Sequence, residues 1–143
     1  MMVKEYLHSI SRLESFITSK RQRAEAFRCL ASNIGGAPLS DMPKAPSRSI
    51  SPMADAICKA IDLEAEIQQD ELQLQQKKLF LLELVGSLSD IDTQSILIKR
   101  YFEKKSWQAI IDETFFSRSW VYRLHQNGLD ELDKKLASCT VLP

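Results

Sequence analysis

The chain has 143 residues, enough for one ordinary domain or for a small domain with a helical extension. Apolar residues make up 44% and charged residues 27%, with 19 basic against 19 acidic side chains. That balance is typical of water-exposed folded chains and lacks the overall basic excess expected of a nucleic-acid binder. The three cysteines, Cys29, Cys58 and Cys139, are far apart, and the histidines are His8 and His125. This spacing excludes an ordinary zinc site and argues against a disulfide scaffold. No apolar run approaches a membrane span, and MMVKEYLHSI has no signal-peptide core. The expectation is a cytoplasmic protein with reduced thiols, no metal, no cofactor and no membrane partner.

Val3 to about Ile34 reads as one long helix, because Tyr6/Leu7, Ile10, Ile17, Ala24, Phe27, Leu30/Ala31 and Ile34 recur at helical steps. Gly35-Gly36 stops it. Lys20, Arg21, Arg23 and Arg28 form a basic cluster, which fits a solvated face paired with an acidic helix better than a phosphate-contacting surface. Residues 35–52 hold four of the five prolines, so no helix or central strand runs through them, and the stretch reads as a linker.

Ser51-Pro52 opens a second long helix, with serine as cap and proline at the first helical position. It runs to about Val85 along a stripe that includes Ile57, Ala60/Ile61, Leu63, Ile67, Leu74, Leu81 and Leu84/Val85. Residues 53–86 carry seven acidic against three basic groups, whereas residues 1–34 carry three against six. A helix of this length spans roughly 45–50 Å and needs an equally long partner. The first helix is the expected one, giving an antiparallel hairpin over residues 1–86, with a homodimer through the long helices if a second apolar face is left open. Gly86 to Asp90 then reads as a hinge into a second domain over 87–143, and limited proteolysis is expected to cut first in 35–52 and next near 86–90.

The C-terminal third spells three short helices. Asp92 to about Glu103 puts Ile96, Leu97, Arg100 and Tyr101 on one face, and Lys104-Lys105 closes it. Ser106 caps a second helix that ends at Asp112 and Glu113. Ser117 caps a third, with Val121, Leu124, Leu129 and Leu132 facing in. The fold class is therefore all-α, a long helical hairpin followed by a three-helix domain with helix-turn-helix spacing.

Two helices joined by a three-residue turn suit a DNA major groove. The positions that would meet bases and phosphates are Ser117, Arg118, Ser119, Tyr122, Arg123 and Gln126, with Lys99, Arg100, Lys104 and Lys105 on the flank for phosphate contact. From Lys99 to Arg123 six basic residues stand against three acidic ones. Trp107 reads as core, Trp120 as either core or an exposed aromatic, and His125 as a helix-surface histidine.

The pattern Gln94-x-Ile96-Leu97, Arg100-Tyr101-Phe102, Ser106-Trp107-x-x-Ile110, Ser117, Val121-Tyr122-Arg123-Leu124-His125 and Leu129-x-x-Leu132 resembles region 4 of sigma-70-type factors. More closely, it resembles the sigma-like domain of small phage and prophage regulators, the ArpU-type late-gene transcription regulators and their relatives. The resemblance covers about the last third of the chain. It implies a regulator of phage genes that binds double-stranded promoter DNA and touches RNA polymerase. The chain departs from that pattern at Ile111, where a small residue is usual, at Thr114, where leucine is usual, and at Phe115, where glycine is usual. Phenylalanine in a left-handed turn position costs roughly 1 kcal/mol.

No catalytic constellation is present in the sequence: there is no Gly-rich phosphate loop, no nucleophile-base pair and no carboxylate cluster with a ligand partner. The competing expectation is a protein-interaction module, in which the hairpin is functional and the helix-turn-helix is degenerate. Neutral net charge, Phe115 and the acidic second helix favour it.

Overall fold

The computed structural model describes residues 2–35 and 51–139, with side chains placed for 2–33 and 51–139. Among these residues every regular element is helical, so the protein is all-α. The elements are α1 (Met2–Gly35), α2 (Pro52–Gly86), α3 (Ile91–Leu97) with a π-helical continuation (Ile98–Phe102), α4 (Trp107–Thr114) and α5 (Arg118–Ala137). No described helix is long and apolar enough to cross a membrane. Residues 36–50 of the linker expected over 35–52, and the side chain of Ile34, lie outside the described residues.

The expected division at Gly86 follows chain order. By packing, the chain forms two compact units, one of residues 1–12 with 74–143 and the other of residues 13–73. In the 13–73 unit, α1 and α2 run antiparallel across a narrow seam. Ile17, Ala24 and Ala31 are buried on one side, and Ala56, Ala60, Leu63 and Ile67 on the other. Alanines line both sides of the seam, and the flanks carry opposite charge. Lys20 bonds to Asp70 at 2.6 Å, Arg28 forks onto Glu64 at 2.6 and 2.7 Å, and Arg21 pairs with Glu71. The Asp70 carboxylate raises the Lys20 pKa, and Arg28 lowers that of Glu64. Most of the basic cluster on α1 is thus matched by the acidic helix, while Arg23 stays exposed. Ser51 caps α2 as expected, its Oγ accepting from Ala54 N at 3.0 Å.

In the other unit, the first turns of α1 close a core that the sequence had been expected to build from its C-terminal third. Val3, Tyr6 and Ile10 pack with Leu81, Val85, Leu88, Leu97, Leu129, Leu132 and Leu136. Val3 N donates to Asp133 Oδ1 at 2.9 Å, and Tyr6 meets Phe80 edge-on. The segment expected to be a hinge is tied down, because Leu88 is buried in this core and Gln94 Nε2 donates to Leu88 O at 2.5 Å. Cleavage near 86–90 is therefore no longer expected.

A second cluster joins Ile96, Ile110, Val121 and Leu124, with Trp107, Ile111 and Phe116 against it. Both short-helix caps fall where the serines stand. Ser106 Oγ accepts from Ala109 N, and Ser117 Oγ accepts from Trp120 N, each at 3.2 Å. Ser106→Ala and Ser117→Ala should each lower stability by about 1 kcal/mol, measured by urea unfolding, because each leaves a helix-end donor without its protein acceptor.

The helix expected over 92–103 changes character midway. From Ile98 the hydrogen bonds lengthen by a residue, as in Glu103 N to Ile98 O at 3.0 Å. Ile98, Tyr101 and Phe102, three and four residues apart, pack against the larger core along this stretch. Lys104, at φ 57°, then turns the chain out of the helix, and Lys105 N closes back onto Lys99 O at 3.0 Å.

Candidate nucleic-acid interface

The three residues 115–117 join α4 to α5. Phe115 adopts the left-handed conformation (φ 60°, ψ 16°) and its N–H closes onto Ile111 O at 3.0 Å. This is the glycine-type helix stop, here filled by phenylalanine. Thr114 serves the same turn, donating to Ile110 O at 2.8 Å and accepting from Phe116 N at 3.4 Å. Leucine, usual at that place in the resembled pattern, has no polar atom for this. Ile111 is half-buried in the smaller cluster.

Ser117, Arg118, Ser119, Tyr122, Arg123 and Gln126 are all exposed along α5, opposite or beside its buried stripe of Val121, Leu124, Gly128, Leu129 and Leu132. Their surroundings differ. The Arg118 guanidinium is held on two sides, by Gln108 Oε1 at 2.7 Å and by Tyr122 OH at 3.2 Å. Ser119 Oγ lies 3.4 Å from Ser117 Oγ, and Gln126 Nε2 donates to Asp130 Oδ1 at 3.0 Å. Arg123 makes no hydrogen bond or ion pair among the described residues.

The flanking cations are more committed than their spacing suggested. Lys99 and Lys105 converge on Glu113 at 3.1 and 2.6 Å, and Lys105 also reaches Glu103. These bonds raise the Lys105 pKa and lower that of Glu113. Arg100 donates to Lys105 O at 3.0 Å and lies over the Trp107 ring, 4.5 Å from its centroid. Lys104 is exposed beside them. Lys99, Arg100 and Lys105 are therefore engaged within the fold.

Behind that face lies an aromatic cluster that the sequence reading missed. Trp107 is half-buried, with Tyr122 edge-on to it at 5.0 Å and His125 at 4.7 Å. His125 stacks with Tyr101, whose hydroxyl is 2.7 Å from Nε2. The expected surface histidine is thus a packed one. Burial first, then the charges of Arg100 and Lys4, push its pKa down to about 4. A neutral imidazole can donate to or accept from the Tyr101 hydroxyl, depending on its tautomer, so the pair needs no ion. Trp120, the residue left open by the sequence, is 41% exposed. The signal for His125 lay in aromatic partners 18 and 24 residues away in sequence.

The fold and site together define an all-α protein whose last two helices form a serine-capped pair across a three-residue turn and present a basic, polar face. The chain belongs to DUF1492, a family of proteins of unknown function, whose pattern matches residues 52–133. No curated protein and no solved structure matches it.

Proposed function

We propose that the protein is a sequence-specific DNA-binding transcription regulator, of the kind found among phage and prophage regulators with a sigma region 4-like domain. The observation that carries the reading is the α4–α5 pair. A three-residue turn joins the two serine-capped helices, and Ser117, Arg118, Ser119, Tyr122, Arg123 and Gln126 are all exposed along α5. A major groove admits such a helix, arginine forks onto guanine or clamps phosphate, and glutamine pairs with adenine. Arg123 has the freest guanidinium of the set and is the first residue to remove.

The test is a salt-series titration of the purified protein on duplexes from its own genomic neighbourhood. Sequence-selective binding whose affinity falls steeply with log salt is expected. Arg123→Ala should weaken it by about 1–3 kcal/mol. Weak, unselective binding that disappears near physiological salt would overturn the reading.

A second reading is a protein-interaction module that binds a second copy of the chain, RNA polymerase or a phage protein. Exposed apolar side chains on α2 favour it, Ile61 and Leu72 in one unit and Leu79 and Leu82 in the other. Sedimentation of the purified protein separates a homodimer from a monomer.

A further inference from the structure

We propose that Phe115 is a DNA-contacting residue that reads the 5-methyl group of a thymine at the edge of the major groove. The inference rests on the DNA-binding reading of α5 and adds a contact that the resembled pattern, with glycine at this place, does not supply.

Three observations carry it. Phe115 is 92% exposed, so its ring contributes almost nothing to either core cluster, whereas the next residue, Phe116, packs against Ile96, Ile110, Val121 and Leu124. Its backbone is left-handed, a conformation that disfavours every side chain and that glycine adopts freely. Folding alone is better served by glycine here, and strain kept at an exposed position points to a contact made outside the chain. The ring also sits two residues before Ser117, at the end of α5 that presents Arg118 and Ser119.

The chemistry selects the target. A phenyl ring offers no donor to a phosphate or to the polar base edges, and the apolar feature displayed in the major groove is the thymine methyl. Burying one methyl group changes affinity about three- to fivefold.

The experiment uses the full chain and Phe115→Gly, with duplexes selected by the wild-type protein from a randomised pool and resynthesised with deoxyuridine in place of each thymine in turn. Phe115→Gly should melt a few degrees higher, because the turn strain is relieved, and should bind the selected duplex three- to fivefold more weakly. One thymine-to-uracil change should cost the wild type the same factor and cost Phe115→Gly nothing further. A structural role for the ring would instead lower the melting temperature and leave the two losses independent. If the wild type selects a site that Phe115→Gly binds equally well, or if every uracil change affects both proteins alike, the inference fails and the DNA reading stands. If the wild type selects no duplex, both fail, and the exposed ring belongs to a protein contact.

Discussion

Gly128→Leu should lower the stability of the unit built from residues 1–12 and 74–143 by about 3 kcal/mol or more, the upper range for overpacking. Gly128 lies mid-helix in α5 and is buried. A Cβ added there would stand 2.7 Å from Thr93 Cγ2 and 2.8 Å from Leu97 Cδ1. Neither neighbour can give way cheaply. Thr93 is buried, and its hydroxyl is bound to Asp90 Oδ2 at 2.7 Å, which fixes the rotamer that aims Cγ2 at α5. Leu97 is 1% exposed within the larger core. Even alanine should cost more through this clash than the ~1 kcal/mol it gains in helix propensity. Urea unfolding of Gly128→Ala decides the point, since a rise in stability would mean that α3 and α5 are not in such close contact.

The second large effect is on acid stability. In the unfolded chain His125 titrates near 6.5, and in the fold its pKa falls to about 4. Between these values the unfolded state binds the proton and the folded state does not. The stabilisation is therefore fully present above pH 6.5 and is lost as pH falls towards 4. The span corresponds to at most about 3 kcal/mol, and partial solvent access to the ring reduces that to about 1–2 kcal/mol. Unfolding free energies of wild type and His125→Gln between pH 7.5 and 4 provide the measurement, because groups common to both proteins cancel in the difference. The wild type should lose stability relative to the variant below pH 6.5. Parallel curves would place the imidazole in solvent.

These two residues also mark where the sequence was legible and where it was not. Caps are local events. A serine hydroxyl reaches a backbone donor three residues on, so Ser51, Ser106 and Ser117 announced the helix starts from the sequence alone. The inward stripe of Val121, Leu124, Leu129 and Leu132 was legible for the same reason, since helical period decides which side chains share a face. Gly128 was not, because helical period places it inside the third helix and only the approach of Thr93 and Leu97 explains a glycine there. The burial of His125 depends on Tyr101 and Trp107, and the π-helical bonding from Ile98 leaves the helical spacing of the apolar residues unchanged, so periodicity does not reveal it. In the candidate site, residue types and positions along α5 were readable. The commitment of Lys99 and Lys105 to Glu113 was not, because it links the end of α3 to α4 across a turn.

The seating of Val3, Tyr6 and Ile10 against Leu129, Leu132 and Leu136 has a consequence for how the protein is made. The Val3–Asp133 hydrogen bond joins positions 130 residues apart. At ribosomal rates of about 5–20 residues per second, the apolar face at the start of α1 waits roughly 6 to 26 seconds for the last turns of α5 to emerge. During that interval Val3, Tyr6 and Ile10 lack their native cover from α5. Synthesis, rather than the finished fold, is the stage at which this chain is most exposed to misassociation.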